Sequence, residues 1–211
     1  MTRHLLLNPP NAKAALVLAH GAGAGMRHRF MEAASQALAG RGVATFRYEF
    51  PYMAAGGKRP DPPAVAEAAV REAVQQAAEL LPGIPLFAGG KSFGGRMTSN
   101  AQAKVPLPGV RGLVFFGFPL HAPGKPDVAR AAHLDAVQIP TLFLQGTRDT
   151  LANIELIYQV TDRLGAKATL HVVDTADHSF AVLKRSGKTN DGVIGELADE
   201  TSKWMSEVLK T

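Results

Sequence analysis

The chain contains no cysteine, so it has no disulfide, no thiolate nucleophile and no sulfur-based metal site. No apolar run approaches the roughly 20 residues that a membrane-spanning helix needs, and no membrane association is expected. The stretch Met1-Thr2-Arg3-His4-Leu5-Leu6-Leu7-Asn8 has too few apolar residues for a secretory signal. With the missing cysteines, this leads us to expect a cytoplasmic protein. Internal repeats and low-complexity tracts are absent, which argues against solenoid and fibrous architectures. Neither sign of charge dominates strongly: 23 Lys and Arg face 18 Asp and Glu, for a net charge of +5. The basic residues are scattered and no nucleic-acid-binding motif accompanies them, so we expect a mildly basic surface and no nucleic-acid partner.

What remains is a chain of 211 residues, 46% apolar and 19% charged. That composition suits a globular protein. The length suits a single domain over 1–211, able to bury about 70% of its unfolded surface. Short apolar runs alternate with helical patterns. After an edge strand at Arg3 to Leu7, strands are expected at Ala14 to Ala19, from Val43, at Ile84 to Ala88, from Val110, at Pro140 to Gln145 and at Ala168 to Val173. Between them, Arg27 to Ala39 reads as an amphipathic helix. Asp61-Pro62-Pro63 opens a long helix with Val65, Ala69, Ala73, Ala77 and Leu80 at helical spacing. Leu151 to Leu164 is a further helix, and a last one over about 190–210 places Val193, Leu197, Trp204 and Val208 on one face. This alternation predicts a three-layer α/β/α fold around a mostly parallel sheet.

The chemistry concentrates where these strands end. Gly90-Lys91-Ser92-Phe93-Gly94 follows an apolar strand and precedes a small-residue helix. A Gly-x-Ser-x-Gly at such a junction forces the serine into a strained turn that lifts its Oγ clear of the backbone. The pentapeptide by itself is also compatible with an ordinary turn whose serine caps a helix. Upstream, the strand Ala14 to Ala19 runs into His20-Gly21-Ala22-Gly23-Ala24-Gly25. Such a loop can supply an N–H to an oxyanion; we assign Ala22, with Gly23 as the fallback, as partner to the Phe93 N–H. A dinucleotide reading of these glycines fails because the third glycine of that fingerprint falls on Met26.

Asp149 sits in Gly146-Thr147-Arg148-Asp149, at the C-terminal end of a strand, where the active residues of open α/β sheets lie. It is the candidate acid, and it could also cap the helix expected from Leu151. His178 follows the last strand and is the candidate base among seven histidines. His171 lies inside a strand pattern, and Asp174 and Asp177 are too close in sequence to His178 to be preferred as its acid. Nucleophile, acid and histidine thus occur in the chain order of one hydrolase architecture, with the Gly-rich loop ahead of all three. Two loops at strand ends, 50–61 and 118–126, should rim the site, with Tyr52, Met53, Phe118 and His121 as candidate substrate contacts beside His20. Neither loop is long enough for a folded lid. Ser186-Gly187-Lys188-Thr189 echoes a P-loop ending, but its first glycine would fall on Val182.

These segments resemble the α/β-hydrolases, and among them the dienelactone-hydrolase-like group. More narrowly, the chain resembles the small hydrolase family related to the hydrolase-like domain of the nonspecific-lethal acetyltransferase complex and its testis-expressed relatives. Besides the motifs above, the resemblance rests on Phe50-Pro51-Tyr52-Met53, Pro119-Leu120-His121, Pro123-Gly124-Lys125-Pro126 and Asp177-His178-Ser179-Phe180. The chain departs from the pattern at Ala122 and at Ala181-Val182-Leu183. What the resemblance implies is a lidless serine hydrolase with Ser92, Asp149 and His178 as its triad. The expected substrate is then a small acyl compound, with neither metal nor cofactor required. A non-catalytic protein-interaction scaffold is the rival reading, and a thioester, lactone or amide is an alternative to the ester.

Overall fold

Ala14–Ala19 (β2), Val43–Tyr48 (β3) and Thr141–Gly146 (β6) are buried at every position, as expected of strands covered on both faces. They belong to one seven-stranded sheet with His4–Leu7 (β1), Leu86–Lys91 (β4), Val110–Phe116 (β5) and Ala168–Val173 (β7), in the order β1-β3-β2-β4-β5-β6-β7. The computed structural model describes residues 2–211; Met1, the first residue of the N-terminal stretch read above, lies outside them. Every strand pair is parallel except β1 with β3. The result is a single α/β domain with an open, mostly parallel sheet.

Alternate residues of β2 feed two separate cores. Ala15, Val17 and Ala19 pack with the apolar side of Pro63–Leu80 (α3) and Phe93–Lys104 (α4). Ala14, Leu16 and Leu18 pack with Arg29–Ala39 (α1) and Asn190–Val208 (α6). In α6, Val193, Leu197 and Trp204 are buried and Val208 is partly so, which is the face that the periodicity indicated. Between these lie the short helix Pro51–Ala54 (α2), a 3₁₀ segment Ala129–Ala136 and Ile154–Leu164 (α5).

Several details differ from the sequence expectation. Val65 and Leu80 are 43% and 48% exposed. Ala69, Ala73 and Ala77 are buried as expected, and Ala66, Val70 and Val74 take the place of those two residues in the buried stripe of α3, a truer 3–4 spacing. The helix placed from Leu151 begins at Ile154, because the Asn153 side chain accepts the Glu155 N–H at 2.8 Å and caps it there. Strand β4 starts at Leu86 and continues through both glycines to Lys91. The segment Ser186–Thr189 is the lead-in to α6. Gly187 takes a positive φ of 71° there, and the Thr189 hydroxyl accepts the Gly192 N–H.

Candidate active site

The strand order brings distant loops together. The chain runs from β2 to β3 on one side, and then returns to place β4 on the other side of β2. The crevice of an open α/β sheet forms at such a switch point. Ala19 of β2 lies opposite Gly90 of β4, so the loop from His20 and the turn at Ser92 leave the sheet side by side. Likewise, Gly146 of β6 is in register with Val173 of β7, which sends the Asp149 and His178 loops out together.

Ser92 has φ 51° and ψ −116°, a strained conformation for a non-glycine residue. The strain is enforced by close packing. A Cβ on Gly94 would come within 2.6 Å of the carbonyl oxygens of both Ala19 and His20, and one on Gly90 would collide with the Ala19 carbonyl. The Ser92 N–H is tied to the Phe116 carbonyl at 3.1 Å. Phe93 opens α4, so its N–H has no acceptor within the helix.

His178 Nε2 lies 2.8 Å from Ser92 Oγ, and His178 Nδ1 lies 2.7 Å from Asp149 Oδ2. Asp149 is buried, 6% exposed. Its Oδ2 also accepts from Gln145 Nε2 at 2.6 Å, and its Oδ1 accepts the Leu151 N–H at 2.8 Å. Asp149 therefore carries the turn after β6 rather than capping α5. Gln145 escaped the sequence reading. Its amide oxygen accepts the Phe118 N–H at 3.0 Å, so one buried side chain orients the carboxylate and anchors the β5 loop. The signal was there in retrospect, as a lone amide in the apolar strand Thr-Leu-Phe-Leu-Gln. Asp177 forms its own loop, accepting the Ser179 and Ala181 N–H groups. His171 pairs with Glu196 at the sheet edge.

Lys91 also went unnoticed. Its ammonium turns inward, donates to the His178 carbonyl at 2.5 Å, and lies 5.5 Å from the centre of the Phe180 ring. Burial pushes Lys91 down to about 8, against the opposing pull of Asp149 and Asp177. The cation thus pins the backbone of the histidine loop.

The other candidate contacts divide differently. His20 is fully buried. It donates from Nδ1 to the Gly21 carbonyl at 2.8 Å and accepts the Phe50 N–H on Nε2 at 3.1 Å. Burial holds its pKa below the usual histidine range, so it is a neutral brace between two loops and not a substrate contact. Phe118 is likewise enclosed, packed on Phe115 and Phe143, and cannot reach substrate. Tyr52 is 6% exposed. Its hydroxyl donates to the Ala22 carbonyl at 2.8 Å, which fixes the loop that carries the Ala22 N–H. Burial, with Asp61 and Glu49 nearby, pushes that phenol up to about 12. His121 accepts the Asn153 N–H at 2.9 Å and donates to the Ala122 carbonyl, bracing the loop after β5 against the start of α5. Met53 is partly buried against the core.

A cleft of about 470 Å³ opens over Ser92, with Ala22, Phe30, Lys91 and His178 in its walls. Among the described residues, no group of three His, Asp or Glu could hold a metal ion, and no helix is long and apolar enough to cross a membrane.

A serine held at a strained strand-to-helix turn, at the switch point of a mostly parallel sheet, defines a hydrolase of the α/β class. The chain belongs to the alpha/beta hydrolase domain family, whose model matches residues 12–206. Its fold is similar to that of dienelactone hydrolase from Anabaena variabilis, with TM-score 0.77 and 19% identity over 97% of this chain and 90% of that one. Est1E from Butyrivibrio proteoclasticus, solved with ferulic acid bound, superposes with TM-score 0.73 and 17% identity over 99% and 96% of the two chains. A Xanthomonas campestris serine hydrolase described as lacking a lid matches with TM-score 0.71 and 19% identity over 96% and 94%.

Proposed function

We propose that the protein is a carboxylesterase-like serine hydrolase that cleaves a small or exposed ester through an acyl-enzyme. The observation that carries this reading is the unbroken chain from Ser92 Oγ through His178 to the buried Asp149 carboxylate, at 2.8 Å and 2.7 Å. In it, Ser92 Oγ attacks the ester carbonyl carbon while His178 Nε2 takes the hydroxyl proton. Asp149 keeps the other ring nitrogen protonated and stabilises the imidazolium. The Phe93 and Ala22 N–H groups receive the tetrahedral oxyanion, each such donor lowering the barrier by about 3–4 kcal/mol. The carbon–oxygen bond to the leaving alcohol then breaks, and His178 returns the proton to that oxygen. Water attacks the acyl-serine by the same route and releases the acid.

A fluorophosphonate probe tests the reading directly. Wild type should be labelled at Ser92, and Ser92→Ala should lose both the label and turnover of a p-nitrophenyl acetate-to-octanoate series. Folded wild-type protein with neither labelling nor turnover overturns it in favour of the scaffold reading. Amide and thioester analogues of the best ester then order the bond types.

A further inference from the structure

Ser92 also borders a second cleft, of about 370 Å³, whose walls do not include His178. Its walls include Ala22 and Phe93, the two proposed oxyanion donors, together with Asp61, Arg96 and Arg130. Arg96 lies in the first turn of α4, its N–H bonded to the Ser92 carbonyl at 3.1 Å, and it lines the same cleft as Ser92. Arg130 comes from the 3₁₀ segment Ala129–Ala136, three residues before His133 and on the same side of that helix. His133 docks the segment on α4, within 2.7 Å of Ser99 Oγ.

The two guanidiniums converge without a counterion. Among the described residues, neither forms a hydrogen bond or an ion pair, and Arg96 Nε is buried with no partner. Burial and the nearby Arg130 charge both lower the Arg96 pKa. His133 adds no charge at neutral pH, since burial and then Arg96 push it down to about 4. The lone carboxylate in the walls, Asp61, accepts the Tyr52 N–H at 2.9 Å. Two guanidiniums against one carboxylate leave a single net positive charge beside an unfilled donor set. That is a site built for a monoanion with planar acceptors.

The direction of the chemistry assigns the halves of the substrate. His178 must hand its proton to the leaving alcohol, so the alcohol lies in the first cleft, which His178 lines. The acyl half then occupies the second. We propose that Arg96 and Arg130 form an anion subsite for a carboxylate at the far end of the acyl group, so that the substrate class is the half-ester of a short dicarboxylic acid. This rests on the serine-hydrolase reading. Overall, the ester and water give the dicarboxylic acid and the alcohol. Ser92 is acylated and released within the cycle, and the terminal carboxylate takes no part in bond making.

The test compares p-nitrophenyl hemiglutarate with the same ester capped as its methyl ester, which differs in that one charge. Wild type should show a kcat/KM ratio favouring the charged ester by about tenfold or more, the size expected of a charge-assisted contact. Arg130→Gln and Arg96→Gln should each collapse that ratio mainly through KM, and Arg130→Lys should restore part of it. Because the readout is a ratio within one protein, a loss of folded fraction cancels. A wild-type ratio near one, or a ratio unmoved by Arg130→Gln, overturns the subsite while leaving the esterase intact. If neither ester turns over, calorimetry of glutarate with Ser92→Ala decides the subsite independently. Binding that Arg130→Gln weakens about tenfold supports it, and no binding at millimolar glutarate overturns it.

Discussion

Lys91→Met removes the cation beneath the histidine loop and puts an apolar chain of similar length beside Phe30 and Phe180. In the folded protein, burial lowers the Lys91 pKa from 10.5 to about 8. Below that value both folded and unfolded chains carry the proton, and the folded state bears the whole burial penalty. Between about 8 and 10.5 the unfolded state binds more protons, so stability rises with pH through that window. Above it the penalty is gone. At 1.36 kcal/mol per unit, the depression amounts to about 3 kcal/mol. Lys91→Met has no such proton. Urea unfolding of both proteins at several pH values between about 7 and 10.5 gives the two stabilities. The difference, wild type minus variant, should grow by about 3 kcal/mol across the window. Ionisation of tyrosines in the unfolded chains is common to both and cancels. A difference flat in pH refutes the reasoning, because it would mean that Asp149 and Asp177 fully offset the burial of the ammonium. The variant also leaves the His178 carbonyl without its 2.5 Å donor, so under the proposed function its kcat should fall even where its stability does not.

Gln145→Leu strands the Phe118 N–H and takes one donor from Asp149. Unfolding free energy should drop by about 1–3 kcal/mol and kcat should fall more than KM changes; unchanged kcat would exclude an orienting role. Tyr52→Phe frees the Ala22 carbonyl. It should cost about 1 kcal/mol of stability and up to about tenfold in kcat/KM, and equal rates in the two proteins would sever Tyr52 from the proposed oxyanion role of the Ala22 loop. Gly94→Ala drives a methyl into the Ala19 and His20 carbonyls. A destabilisation of about 1–3 kcal/mol, with slowed fluorophosphonate labelling, is expected; a wild-type melting temperature and labelling rate would show that the turn has more room than its packing implies.

Much of the fold was legible because strands and helices announce themselves through local periodicity. The apolar runs at Ala14, Val43 and Thr141 became strands buried at every position. The face of α6 was correct because Val193, Leu197 and Trp204 are large enough to leave no ambiguity. Val65 and Leu80 were wrongly placed in the α3 stripe, beside the correct Ala69, Ala73 and Ala77, because an alanine-rich helix offers many apolar spacings, and only the neighbouring sheet selects one. The start of α5 was misplaced because Asp149 and Asn153 are both good caps, and Asp149 already had other partners. His20 and Phe118 were expected at the rim because they flank glycine- and proline-rich loops. Both turn into the core, where their loops need bracing.

By itself, the sequence determined the class of fold and the residues that could carry its chemistry. A serine between two glycines at the end of an apolar strand has few other conformations open to it. An aspartate and a histidine each placed after later strands share the same edge of a parallel sheet. The tertiary structure alone decided the distances, and with them the partners. Whether β4 lies beside β2 depends on how the whole sheet is wound. From that winding follow the 2.8 Å contact between Ser92 and His178 and the brace from Gln145. The inward turn of Lys91, and the meeting of Arg96 with Arg130 in one cleft, follow from it too. Those contacts join residues 4 to 87 positions apart in the chain. Local propensity carries no record of such pairings, because their free energy is gained only when the sheet closes over them.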